Sequence, residues 1–170
     1  YSADGPANLL DACSVAACPG ARGRGTLVVM NGRIHSGLWV GKRHVSSVEA
    51  FDSPLAGAVG EVADQAVQWF RAAARAPTVA WQTPDSWPRV DIAVAYAGVD
   101  ETAMRAFVAA GAQGIVHAGL GNANTPTAYR AFIQSLPAQG VLVARCARFI
   151  TGSVTRASVY ADAQYGILTA

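Results

Sequence analysis

The sequence predicts an α/β protein built from two structural units, and three observations carry the prediction. From residue 89 onward, short apolar strand-like runs alternate with helical segments, the pattern of crossover connections and a mostly parallel sheet. Between residues 76 and 88, Pro77, Pro84 and Pro88 interrupt a stretch with no helical period, which marks a linker. Hydrophobic residues make up 52% of the chain and charged residues only 14%, against roughly 25% charged in ordinary soluble domains. Much of the chain is therefore expected to be buried, under helices on both faces of a sheet or against another chain.

The elements follow in order. "SADGPANLLDACSVAA" reads as a helix, with Asp4 as cap, Pro6 in the first turn and an apolar face of Leu9, Leu10, Cys13 and Ala17, stopped by Pro19 and Gly20. "TLVVMNG", residues 26–32, is a continuous apolar run expected to be a buried parallel strand leading into a loop. Residues 33–61 are dotted with glycine and read as irregular. "EVADQAVQWFRAAARA" stays open, because its alanines favour helix while "VQWFR" alternates like a strand. After the linker come a strand at "VDIAVAYAG", a helix at "ETAMRAFVAAG" closed by Gly111, a strand at "GIVHAGLG" and a helix at "PTAYRAFIQSLPAQG". Strands at "VLVARCARF" and "YGILTA" complete the series.

Several functions are disfavoured by composition. The 13 basic residues outnumber the 11 acidic ones by only two and form no run, so no nucleic-acid partner is expected. Cys13, Cys18 and Cys146 lack the spacing of a zinc site or a disulfide framework and are expected to be buried thiols. His35, His44 and His117 are too scattered for a metal motif and are read as structural. Ser46 and Ser47 lack the G-x-S-x-G elbow. No apolar run approaches the roughly 18 residues of a membrane span, so no membrane partner is expected and the chain reads as soluble, in a periplasmic or cytoplasmic compartment that the sequence does not decide.

In a parallel sheet, ligands bind beyond the carboxyl ends of the strands. "MNGRIHSG", "YAGVDE" and "AGLGNANTP" fall there. The last offers backbone N–H groups and the Asn122 and Asn124 amides to an anion, or is simply a tight strand-to-helix turn; it lacks the G-x-G-x-x-G order of a dinucleotide loop. Lys42, in "VGKRHVSSVEAF", has two readings as well. A loop lysine is ordinarily a solvated charge, whereas burial near Trp39 and Phe51 would make it a proton acceptor or a partner for a carboxylate.

Taken together and in this order, "SADGPANL", "RGTLVVMNGRIHSG", "VGKRHVSSVEAFDSP", "VDIAVAYAG", "AGAQGIVHAGLGNAN" and "YADAQYG" resemble the bacterial type II L-asparaginases of the asparaginase/glutaminase family. The resemblance implies that residues 1–75 are the later part of a doubly wound amino-terminal domain, residues 76–88 the interdomain connection, and residues 89–170 a smaller flavodoxin-like parallel-sheet domain. It makes "VQWFRAAARA" extended and "AGLGNANTP" a structural loop. It implies a homotetrameric hydrolase, working without metal or cofactor, that converts asparagine, and less readily glutamine, to a carboxylate and ammonia. A threonine is the nucleophile in such enzymes, supported by a second threonine, an aspartate and a lysine, and Lys42 falls on that lysine.

Departures from the family pattern accompany the match. The "TGGT" and "HGTDT" segments that carry the family's threonines and aspartate do not occur in this chain, so the resemblance implies that it is a segment of a longer product and relies on a missing amino-terminal segment. Gly98 and Val159 stand where an asparagine and a glutamate reach a neighbouring subunit's substrate, Arg43 replaces the usual threonine after the lysine, and Val45 replaces the next hydroxyl. These departures leave a second expectation open, a non-catalytic amino-acid-binding or interaction module, or an inactive homologue.

Overall fold

The computed structural model describes residues 3–72, 80, 82–156 and 161–170. Five positions of the proline-bearing stretch (residues 76–79 and 81) and Val159 lie outside the described residues. The chain divides into two compact units, Tyr1–Trp81 and Gln82–Ala170.

The first unit contains α1 (Gly5–Ala17), β1 (Leu27–Met30), β2 (Arg33–Ser36), β3 (Gly41–Lys42), β4 (Phe51–Asp52), β5 (Gly60–Ala63) and β6 (Ala66–Trp69). Pro6 lies in the first turn of α1 as expected, but the Asp4 carboxylate makes no cap bond and instead accepts from the Asn8 side chain at 3.1 Å. The expected apolar face of α1 is not the buried one. Leu9 and Leu10 are 67% and 50% exposed, and the helix buries Val15 instead. Leucine, valine and alanine occur around the whole circumference of α1, so periodicity left two candidate stripes. Tertiary packing chose the one that sets Val15 with Ile34, Val59 and Val62 over β1, β5 and β6.

Residues 26–32 are not a parallel strand. β1 runs antiparallel to β2, with Met30 opposite Arg33, and the linking Asn31 and Gly32 have φ of 50° and 68°. Two consecutive positive φ values make the tight hairpin turn whose twist matches that of its strands. Asp64 and Gln65, at 48° and 62°, turn β5 into β6 in the same way. The result is a four-stranded sheet in the order β1-β2-β5-β6. Residues 33–61 are accordingly not irregular: they hold β2, the separate two-stranded ladder β3-β4 and the start of β5. The ambiguous stretch contains the strand β6 over Ala66–Trp69; residues 73–76, which the resemblance also made extended, lie outside the described residues.

The second unit contains β7 (Val90–Val94), α2 (Thr102–Ala109), β8 (Gly114–Gly119), α3 (Thr127–Ser135), β9 (Leu142–Ala147) and β10 (Leu168–Thr169). The strands form a wholly parallel sheet in the order β10-β9-β8-β7. Gly111, at φ 85°, ends α2. On one face, Ala93, Ile115 and Val143 pack with Met104 of α2 and Tyr129 and Ile133 of α3. The register fixes what lies on the other face: Val90, Gly114 and Leu142 in one row, Ile92, Val116, Ala144 and Leu168 in the next, Val94, Ala118 and Cys146 in the third. Every one is apolar, yet Val90, Ile92, Leu142 and Leu168 are 55%, 63%, 57% and 53% exposed.

The cysteines are not buried thiols. Cys13 is exposed, and Cys18 and Cys146 are half-buried. Cys13 follows from the side of α1 that faces away from the sheet, and Cys146 from its place on the open face of β9.

Candidate functional site

Lys42 sits in the short β3-β4 ladder directly opposite Phe51. Opposed residues in an antiparallel pair share a face, and the Lys42 ammonium lies 6.0 Å from the centre of the Phe51 ring. The side chain is exposed, and among the described residues it forms no ion pair with a carboxylate. The connection from β3 to β4 is tied at its neck by the Arg43 N–H donating to the Ala50 carbonyl at 2.6 Å. Within it, His44 Nδ1 accepts from the backbone N–H groups of Ser46 and Ser47, at 3.1 and 2.9 Å. His44 thus holds a loop in shape.

The Phe51 ring also lines a cavity of about 550 Å³ in the first unit. Met30, Val48 and Phe70 give it apolar walls, and Arg33, His35, Arg43, Glu49 and Asp52 contribute charged or titratable groups. His35 is 4% exposed, with its Nδ1 2.9 Å from the hydroxyl of the fully buried Ser53. Burial holds its pKa below the ordinary histidine value, outweighing the opposite pull of Asp52. The Asp52 carboxylate accepts from the Ser53 N–H at 2.7 Å, Arg33 pairs with Glu61 at 3.0 Å, and Asn31 Nδ2 donates to Glu49 at 3.5 Å. Sequence reading missed this cavity because its residues come from the β1–β2 hairpin, the β3–β4 segment and the ends of β5 and β6, stretches that no local sequence pattern links.

In the second unit, the "GLGNAN" turn is built inward. Arg145 donates to the carbonyls of Asn122 and Ala123, at 3.3 and 2.5 Å, and Asn122 Oδ1 accepts from the Thr155 N–H at 2.8 Å. The Asn124 carbonyl faces His117 Nε2 at 3.4 Å, and His117 Nδ1 faces the Tyr129 hydroxyl, also at 3.4 Å. A neutral imidazole bonded at both nitrogens fits this arrangement, and burial lowers the His117 pKa. Carbonyl oxygens turned on a buried guanidinium leave the turn a structural connection rather than an anion cradle. Gly98 lies beyond the carboxyl end of β7 at φ 82°, with open space where a side chain would begin. Among the described residues, no group of three or more His, Cys, Asp or Glu is placed to hold a metal ion, and no helix is long and apolar enough to cross a membrane.

Comparison with known proteins covers both units. Residues 1–75 match the family model for the amino-terminal asparaginase domain, and residues 89–170 match that for the glutaminase/asparaginase carboxyl-terminal domain. The chain is 39% identical to a glutaminase-asparaginase of Pseudomonas fluorescens over 96% of its own length and 46% of that protein's. It is 36% identical to a probable periplasmic L-asparaginase of Haemophilus influenzae (98% and 49%) and 38% identical to L-asparaginase 2 of Bacillus subtilis (95% and 44%). The chain therefore spans about half the length of the curated relatives it matches.

Proposed function

The chain belongs to the asparaginase family, and from that premise we propose that it forms part of an amidohydrolase that cleaves the side-chain amide of L-asparagine. The observation that carries this reading is the likeness of both units, in order, to proteins named for asparagine and glutamine hydrolysis. In the proposed reaction a threonine hydroxyl, supplied by polypeptide outside these 170 residues, attacks the amide carbon. A C–O bond forms as the C–N bond breaks, the amine leaves as ammonia with a proton taken from the hydroxyl, and water then releases aspartate from the ester.

Lys42 is assigned the supporting role. An ammonium set against a carboxylate contributed by the same outside segment favours loss of the hydroxyl proton, which a free threonine does not give up near neutrality. Its exposure here leaves the ammonium free to meet such a partner. Copies of the chain are proposed to associate, because the fully apolar outer face of the β7–β10 sheet is of the kind that parallel sheets bury.

The test is ammonia release from asparagine and glutamine by a protein that joins these 170 residues to the threonine-bearing segments of the family. Lys42→Met is expected to lower the rate at least a hundredfold, about 2.7 kcal/mol of barrier, with its unfolding transition unchanged. A rate within twofold of the parent would remove Lys42 from the mechanism. Absence of any hydrolysis, together with saturable binding of asparagine by the 170-residue chain alone, would replace the enzyme by a binding module. The replacement of two expected substrate contacts by Gly98 and Val159 is the observation that favours that second reading.

A further inference from the structure

We propose that the cavity beside Phe51 binds the zwitterion of an apolar α-amino acid. Its volume of about 550 Å³ lies within the range of roughly 300–1,000 Å³ usual for small-molecule sites. Its charged groups are unevenly committed. Arg33 is occupied by Glu61, whereas the Arg43 side chain forms no ion pair among the described residues. Opposite charge is present in the same cavity: Glu49, whose carboxylate is held among the described residues by the 3.5 Å contact from Asn31, and Asp52, one of whose oxygens is taken by the Ser53 N–H.

A ligand bearing a single charge would satisfy one of these groups and leave the other facing its repulsive end. A carboxylate set against Arg43 and an ammonium set against Glu49 and Asp52 satisfy both, as charge-assisted hydrogen bonds. The remaining wall selects the side chain. Phe51 and Phe70 line the cavity, and Phe70 is 48% exposed, so an apolar or aromatic group would cover surface that otherwise meets water. His35 adds a directional contact in one of its neutral tautomers: with Nδ1 accepting from the Ser53 hydroxyl 2.9 Å away, the ring would carry its hydrogen on Nε2, available to a ligand oxygen. Lys42 does not line the cavity, so this site stands or falls independently of the amidohydrolase reading.

The experiment is titration calorimetry of the 170-residue chain with L-phenylalanine, N-acetyl-L-phenylalanine and L-phenylalaninamide, the last two each lacking one charge. L-Phenylalanine is expected to bind saturably, and each derivative about tenfold or more weakly than it. Arg43→Ala, an exposed truncation whose folding is checked by circular dichroism, is expected to weaken L-phenylalanine about tenfold while leaving L-phenylalaninamide unchanged. Glu49→Gln is expected to weaken L-phenylalanine and leave the N-acetyl compound unchanged. Equal affinity for all three compounds, indifference of L-phenylalanine binding to Arg43→Ala, or no saturable binding at millimolar concentration would each overturn the assignment.

Discussion

Arg145 and Asp162 form a buried ion pair that fastens β9 to the 3₁₀ turn Asp162–Tyr165: Nη2 lies 2.5 Å from Oδ2, Nε reaches both carboxylate oxygens, and the side chains are 3% and 9% exposed. Nη1 continues the network into the carbonyls of Asn122 and Ala123. One guanidinium thus joins the "GLGNAN" turn to the "YADAQYG" segment. Removing one partner strands the other charge in the core, so Arg145→Met is expected to cost about 3–5 kcal/mol of stability. Urea unfolding of the single variant and of Arg145→Met with Asp162→Leu checks this, because the double variant should recover a large part of the loss.

Stability of the second unit is expected to fall on mild acidification. Burial lowers the folded-state pKa of His117 below its ordinary value near 6.5, so the unfolded chain takes up a proton that the folded chain refuses. The contribution of neutral His117 is full above about pH 6.5 and is lost as the pH falls from there toward the folded-state value. His35, shifted in the same direction by burial, adds to the first unit with the same sign. Denaturation midpoints at pH 7.5 and pH 5.5 give the slope, and His117→Gln should flatten it.

Two glycines should differ in their tolerance of a methyl group. At Gly32 an added Cβ would meet the Val62 carbonyl at 3.1 Å in a residue at φ 68°, a cost of about 1–2 kcal/mol. At Gly119 it would overlap the backbone of Ala123, with the Ala123 Cα 2.6 Å away, and neither backbone is free to move without breaking the Leu120–Asn124 bridge. Gly119→Ala is therefore expected to lower the thermal midpoint more than Gly32→Ala does.

Self-association is expected to depend on the apolar outer face of the β7–β10 sheet. Ile92, 63% exposed and in the middle row of that face, can be replaced without opening the core beneath α2 and α3. Ile92→Glu should raise the fraction of monomer seen by light scattering at micromolar concentration, with circular dichroism unchanged. An identical mass distribution for parent and variant would place the contact elsewhere.

The carboxyl-terminal architecture was legible because each helix there is closed by its own punctuation, Gly111 after α2 and Pro137 after α3, and each strand is a short apolar run between them. Lys42 was singled out only through its resemblance to a family lysine, since an exposed ammonium in a two-residue strand carries no periodic signal, and its role stands as a proposal. The antiparallel hairpin of β1 and β2 did have a local sign: Asn31–Gly32 is the strongest short-range turn dipeptide, and the apolar run before it drew the reading toward a parallel strand instead. The cavity and the Arg145–Asp162 pair had none, because both assemble residues from separate elements whose spacing along the chain reflects the path between those elements and not chemistry.

The two tight reversals at Asn31–Gly32 and Asp64–Gln65 carry a consequence for how the molecule is made. Strands joined by two residues find one another within microseconds and need no distant segment, while β7, β8 and β9 cannot pair until α2 and α3 have been threaded between them, and β10 joins across about twenty residues. During synthesis the first unit can therefore reach its native pairing early, and the second, with its unguarded hydrophobic sheet, is the stage at which a chaperone would be most needed.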